Sequence, residues 1–424
     1  MQQRSSFQTL ILGIQFMFVA FGATILVPML VQSGVEAEIA KQNLTNFSLD
    51  YKHFSPAIAL LAAGISTLLF HLITKGKVPV FLGSSFSFIA PIPIAIVQFG
   101  YAGTLSGLMA VGVMYALFGL AVKVFGMGFI EKLFPPIVVG PVIMVIGLSL
   151  APVAIGNASE HWGIAIVTLL TAIITVMYGK GMLKLIPIFA ALVVGYIVSY
   201  ALGYVNTDAI QQAQWIQPPS IMFPTFDWRA IVYIAPVAIA PIVEHIGNIY
   251  AIGNVAEKDF VKDPGLHRTM IGDGVGSFVA SFIGGPPSTT YAEVTGAIQL
   301  TKVTDPKVLR ISAITAIVVS CIGVITAALT TVPKPVLGGI MILLFGMIAS
   351  IGINSLINGK VNFMNTKNQI IASVILVIGI GGAQFTIGSF QMSGIGLCSI
   401  VGILLNLLLP ENLNFTKVEN EVDL

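Results

Sequence analysis

The sequence predicts an all-α polytopic membrane protein of about fourteen transmembrane segments, folded as two inverted seven-segment repeats. Three observations carry that expectation. Apolar blocks of helix length recur from end to end. Lys and Arg crowd into alternate connections, and each half has one polar interruption at the same place in its order of segments.

The 424 residues are 56% hydrophobic and 9% charged, with a mean hydropathy of +0.95. A soluble domain carries roughly 25% charged residues, so this chain cannot present a conventional watery surface. The lipid bilayer is its expected surrounding. A formal net charge of +2 leaves no electrostatic footprint for nucleic acid. Cys321 and Cys398 lie far apart in apolar stretches and suggest neither a disulfide framework nor a metal site. The first apolar block is too long for a cleavable signal and is expected to remain as a span.

Polar or Gly/Pro-rich breaks divide the chain into approximate spans 8–31, 56–74, 79–97, 102–124, 134–156, 162–179 and 184–205 in the first half. The second half gives 229–252, 268–284, 288–301, 308–330, 335–352, 369–388 and 391–409. With both termini cytoplasmic, only Lys41, Lys52, Arg229 and Lys334 fall outside, and the other sixteen Lys and Arg fall inside. That is the bias of the positive-inside rule. An odd number of spans per half turns the second half upside down relative to the first. Pro136, Gly140 and Gly147 recur at one offset as Pro335, Gly339 and Gly346, in agreement with a repeat.

Two segments fail to read as clean helices: Pro79 to Pro93, and Gly284 to Gly296. Each places a short Ser/Thr/aromatic run before an apolar stretch, and each is the third segment of its half. They could be ordinary loops or proline kinks. Irregular backbone at membrane depth, however, is tolerated only where protein or a wet cavity satisfies it. Matched interruptions therefore point to a binding site.

Of the acidic residues, Glu244, Asp273 and Glu293 alone fall within spans, and an intramembrane charge is a functional signal by default. Glu244 and Asn248 share a helix face at four-residue spacing, while His245 points elsewhere and reads as a packing or hydrogen-bonding residue. Glu293 directly follows the Ser288–Tyr291 run and is aimed at the same cavity. Asp273, among Gly272, Gly274 and Gly276, reads as a helix-contact hydrogen bonder. A cavity with acids and no bases suits a cation or a neutral molecule rich in N–H donors. Phe86, Tyr291 and Phe345 offer flat faces for a planar ring, or simple packing. Desolvation eases protonation of a carboxylate, which makes Glu244 and Glu293 candidates for carrying a proton.

The motifs Phe21-Gly-Ala-Thr-Ile-Leu-Val-Pro28, Gly76-Lys-Val-Pro79, Leu82-Gly-Ser-Ser-Phe-Ser-Phe88, Glu244-His-Ile-Gly247, Asp263-Pro-Gly-Leu-His-Arg268 and Thr289-Thr-Tyr-Ala-Glu-Val-Thr-Gly296 occur in that order. With them the sequence resembles the nucleobase–ascorbate transporter (nucleobase:cation symporter) family over nearly its whole length, most closely the bacterial uracil permeases. The resemblance implies short strands in segments 3 and 10. It also implies a core domain from residues 1–132 and 229–332, and a gate domain from 133–228 and 333–424. It assigns substrate binding to Glu244, Glu293 and Phe86, with backbone amides at Phe86 and Ala292, and Tyr291 is expected to bracket the ring with Phe86. Proton-coupling candidates are Glu244, Asn248 and Glu293, and no cofactor is expected beyond the coupling ion.

Several positions depart from the family pattern. Asn248 stands where uracil permeases tend to have a second histidine and purine transporters an aspartate. Val294 replaces Asn, Phe16 replaces a histidine, and Met341 and Phe345 take the gate-side places of a Ser and a Tyr.

The expected activity is import of uracil by proton symport with alternating access, in a homodimer of the bacterial inner membrane. Xanthine, another purine or several bases, or Na⁺ coupling, stand as alternatives. An anion exchanger of the same fold is more distant, because the acidic site would repel its cargo. No catalytic constellation marks the chain as an enzyme. The segment 33–55 suggests no function.

Overall fold

A computed structural model describes residues 6–126, 128, 132–387 and 390–410. Arg4, Lys417 and both chain ends lie outside the described residues. The first half contains α1 (Ser6–Lys41), α2 (Pro56–Ile73), β1 (Leu82–Ser84), α3 (Pro91–Phe125), α4 (Pro136–Leu148), α5 (Ala151–Ser159), α6 (Trp162–Tyr178), α7 (Pro187–Ala201) and α8 (Asp208–Gln211). The second contains α9 (Trp228–Ile234), α10 (Ile239–Ala256), α11 (Leu266–Phe282), β2 (Ser288–Thr290), α12 (Ala292–Thr301), α13 (Pro306–Ser320) and α14 (Gly323–Thr330). It ends with α15 (Lys334–Asn358), α16 (Thr366–Ile380), β3 (Gln384–Ile387), β4 (Phe390–Ser393) and α17 (Gly394–Leu408).

Among the described residues, six helical stretches are long and apolar enough to cross a membrane by length and composition, and four shorter apolar helices of 10–17 residues accompany them. Large apolar side chains such as Leu117, Val124, Ile174, Ile197 and Val377 are exposed, as a lipid-facing surface requires. The chain is a mostly helical, polytopic membrane protein.

Helix starts follow local chemistry. Pro56, Pro91, Pro136, Pro187 and Pro306 each open a helix, where the missing N–H costs nothing and φ is already set. Asp227 caps α9 by accepting from the Arg229 amide. The Arg229 guanidinium beside it holds the Asp227 carboxyl below its ordinary range.

Boundaries depart from hydropathy in informative places. α1 continues to Lys41, ten residues past the apolar run, because hydropathy marks the exit from lipid while Glu36, Ala37, Glu38 and Ala40 are good helix formers. α3 turns at Gly100, with φ 73° and ψ 167°, and so joins the end of the 79–97 span to the 102–124 span that the sequence separates there. A 3₁₀ turn over Ala235–Ala238 divides α9 from α10 at Pro236, which cannot donate to a helical ladder. The sequence ends one span at 388 and starts the next at 391, but Gln384–Ile387 and Phe390–Ser393 are paired strands, with Gln384 opposite Ser393 and Ile387 opposite Phe390. Gly381 and Gly382 end α16, and the following Phe385, Thr386 and Ile387 favour strand over helix.

Helices of residues 6–125 pack chiefly with those of 228–320, and helices of 136–201 pack chiefly with α15. Lipid supplies no hydrophobic drive for such contacts, so small residues bring the backbones together. A Cβ on Gly274 of α11 would lie 2.6 Å from the Gly112 carbonyl oxygen and 2.8 Å from Tyr115 Cβ on α3. Gly13 and Gly64 play the same part where α1 and α2 meet α13. We therefore expect Gly274→Val to destabilise the protein by about 1–3 kcal/mol, the usual range for overpacking. Thermal unfolding in detergent checks this against Gly156→Ala, whose Cβ meets nothing within 4 Å and which should leave the transition in place.

Candidate functional site at the paired strands

β1 and β2 are the short strands of the two interrupted segments. They pair antiparallel, with Leu82 opposite Thr290, Gly83 opposite Thr289 and Ser84 opposite Ser288. Flanking bonds extend the pairing: the Tyr291 amide donates to Phe81 O (3.1 Å) and the Ser85 amide to Pro287 O (2.9 Å). All six strand residues are buried. Each strand then leads toward a helix, β1 through the 3₁₀ turn Phe86–Phe88 into α3 and β2 through Tyr291 into α12. Two helix starts thus flank one small sheet, and their free amides suit an acceptor.

Phe86 and Tyr291 are brought together, but not as a bracket. Their rings stack with centroids 6.4 Å apart and planes 14° from parallel. A planar ligand between two rings needs about 7 Å, two contact distances of 3.5 Å. Tyr291 is moreover only 3% exposed. Its ring lies over Gly83, where any side chain would collide with it. Its hydroxyl donates to Ser84 O at 3.0 Å and lies 3.4 Å from Thr24 Oγ1. Tyr291 thus backs Phe86, whose ring remains partly accessible.

Glu293 and Ala292 open α12, and both are accessible. A carboxylate in the first turn is favoured by the helix dipole. Glu244, in α10, is partly accessible and lies within electrostatic range of both Glu293 and Asp273. Open space adjoins Gly247 and Gly296, where an added Cβ would meet nothing within 4 Å. The two glutamates therefore face accessible volume.

Asn248 departs from the expectation that it shares this volume. It is 9% exposed, and its Nδ2 donates to Thr290 O at 2.7 Å, with Thr290 Oγ1 3.3 Å away. Its side chain fastens α10 to β2, and a neutral amide has no proton to exchange at physiological pH. Helical spacing identified its face, but not the strand that covers that face.

The gate-side candidates are buried in α15. Met341 Sδ receives a contact from Asn157 Nδ2 at 3.5 Å, and Asn157 Nδ2 also donates to Ser33 Oγ at 2.9 Å. The Phe345 backbone carbonyl packs against Gly147 of α4.

Behind the sheet, His245 Nδ1 is 2.8 Å from Asp273 Oδ2, and its Nε2 is 3.0 Å from Thr269 Oγ1, with both partners of the ion-pair contact fully buried. Asp273 also faces the Thr290 backbone amide. Both residues thus sit in a buried polar contact between α10 and α11, apart from the accessible glutamates. That they meet each other was not readable from helical periodicity, because they stand on different helices.

Comparison with known proteins bears on this arrangement. The Xan_ur_permease profile, described as a permease family, matches residues 7–388. The chain belongs to this permease family. It is 45% identical to a probable uracil permease of Pasteurella multocida, over 96% of this chain and 95% of that one. It is 42% identical to the uracil permease of Bacillus caldolyticus, over 95% and 92%. The uracil permease of Escherichia coli K12 is 39% identical, over 95% and 91%. Among solved structures, the murine anion transporter Slc26a9 in an inward-facing state matches with a TM-score of 0.65 at 11% identity, covering 96% of this chain and 69% of that one. The transmembrane domain of a cyanobacterial bicarbonate transporter, BicA, gives 0.58 at 15%, covering 95% and 99%. Those two likenesses concern the fold alone. As a permease-family member the chain is a transporter and not an enzyme.

Tyr291→Phe removes only the hydroxyl that satisfies the buried Ser84 carbonyl and should cost about 1–3 kcal/mol. Gly83→Ala, which displaces the whole ring, should cost more. Thermal unfolding of the purified variants should rank wild type above Tyr291→Phe above Gly83→Ala.

Proposed function

We propose that the chain imports a nucleobase, with uracil as its preferred cargo, by proton symport through alternating access. The observation that carries this reading is the pair of accessible glutamates, Glu244 and Glu293, both within electrostatic range of Tyr291, whose ring stacks on the partly open ring of Phe86. Uracil is planar, with two ring N–H donors and two carbonyl acceptors. The carboxylates accept from the N–H groups, the Phe86 ring offers a stacking face, and the backbone amides of Phe86 and Ala292 meet the carbonyls. The names of the relatives support the same cargo.

The coupling proton is carried by Glu244 or Glu293, since Asn248 is an amide engaged with the strand. The fourteen segments form two inverted repeats of seven, and the equal, antiparallel strands of segments 3 and 10 support that arrangement. A core of 1–132 and 229–332 moves against a gate of 133–228 and 333–424, in keeping with the packing of the helices. Both termini face the cytoplasm of a bacterial cell, as the Lys and Arg bias supports, and the working unit is a homodimer.

Uptake of radiolabelled uracil into proteoliposomes under an inward pH gradient tests this reading, with xanthine and an imposed Na⁺ gradient in parallel. Gradient-driven uracil accumulation is expected, lost by about 100-fold or more in Glu244→Gln and Glu293→Gln because each removes a charged acceptor and a candidate proton site. Uptake of xanthine alone would move the cargo to purines, and drive by Na⁺ alone would replace the coupling ion. Uptake of neither base would end the nucleobase reading.

A further inference from the structure

A two-stranded sheet leaves two outer edges, and at membrane depth no water is available to satisfy them. In an antiparallel pair, residues outside the ladder bonds point both their N–H and C=O groups outward. The flanking bonds at Phe81–Tyr291 and Ser85–Pro287 place Leu82 and Ser288 in that position. Each meets one hydroxyl. The Leu82 amide donates to Thr67 Oγ1 at 2.9 Å, and the same hydroxyl donates to Leu82 O at 3.2 Å. The Ser288 amide donates to Ser277 Oγ at 3.1 Å, and that hydroxyl donates to Ser288 O at 2.8 Å. A hydroxyl has one donor and two lone pairs, so a single side chain can close both groups of one residue.

The two clamps correspond across the halves. Thr67 stands on α2, before β1, and Ser277 on α11, before β2; both are fully buried. Their sequence neighbours join the supporting helices, because Ser66 Oγ donates to Gly276 O at 2.8 Å and accepts from Ser288 Oγ at 2.8 Å. One hydroxyl network therefore holds both strands and both helices.

We infer that Thr67 and Ser277 are matched positioning residues, whose hydroxyls fix β1 and β2 so that Phe86, Ala292 and Glu293 are presented at set positions to the cargo. Neither side chain touches the cargo; each acts through the strand it clamps. The inference deepens the nucleobase reading and rests on it where cargo affinity is concerned.

Two measurements test it. In proteoliposome uptake, Thr67→Val and Ser277→Ala should each raise the KM for uracil about ten-fold, with maximal rate per folded protein changed less than about two-fold. Thr67→Ser, which keeps the hydroxyl, should restore the KM. A general loss of folded protein would lower the rate and leave KM unchanged, and that result would overturn the inference. Hydrogen–deuterium exchange of the purified protein needs no cargo. Thr67→Val should accelerate exchange over residues 80–86, and Ser277→Ala over 286–292. Unchanged exchange at both strands would overturn the inference even if uracil uptake is intact. If wild type takes up no uracil, the nucleobase reading alone fails, and the exchange result decides whether the clamps exist.

Discussion

Every buried backbone amide and carbonyl must find a partner, and in this chain a demanding case is a buried sheet of two three-residue strands. A helix satisfies its own backbone; a two-stranded sheet leaves its outer edges bare. Much of the surrounding design answers that deficit. The Thr67 and Ser277 hydroxyls close the edges at Leu82 and Ser288. Asn248 and the Tyr291 hydroxyl take the carbonyls of Thr290 and Ser84, and Asp273 faces the Thr290 amide. These side chains come from α2, α10, α11 and the end of β2 itself, so satisfying the sheet also cross-braces the helices. Glycines permit this closeness: Gly83 leaves room for the Tyr291 ring, and Gly276 lets α11 approach Ser66.

The same economy separates polar groups that support the site from those free to act on a cargo. Asp273 is occupied by His245 and the strand, and Asn248 by Thr290. Glu244 and Glu293 retain access to open volume. The sequence alone groups these three acids together, whereas their exposure already sets Asp273 apart. Following each to its contacts distinguishes a bracing carboxylate from two available ones, and only the available pair can exchange hydrogen bonds with a passing molecule.

What was legible in the sequence follows from this logic. Interrupted segments advertise themselves because Ser/Thr-rich, Gly/Pro-punctuated stretches break a long apolar run, and isolated acids stand out against such a background. Position along a helix could place Glu244 and Asn248 on one face, but whether that face meets solvent or a strand depends on residues 42 positions away. Tyr291 reads as a ligand-facing aromatic until Gly83 is seen beneath it, a contact made across 208 residues of chain. Hydropathy likewise locates lipid, not helix ends, which is why α1 overran its span and why the strands 384–387 and 390–393 were hidden at the meeting of two spans. The missing information is long-range pairing, which local pattern does not encode.

The alternating access proposed for this chain would need one part to stay rigid while another opens, and the polar bonding can be compared with that need. The sheet's bonds are buried and mutually dependent, so losing one strands another polar group at a cost of about 1–3 kcal/mol. The contacts between α1 and the helices around α15 have a different character. Lys334 pairs with Glu36 at 3.1 Å and lies 3.9 Å from Glu160, with all three side chains substantially exposed, while Ser33 and Asn157 exchange two hydrogen bonds deeper in and Phe21 packs edge-on against Phe189. Exposed ion pairs contribute about 0–1 kcal/mol and exchange readily for water. A seam of that kind can part and re-form without disturbing the sheet. The exposed ion pairs of this seam are therefore cheaper to part than the strand bonds, and the groups proposed to hold the cargo stand beside the costly bonds.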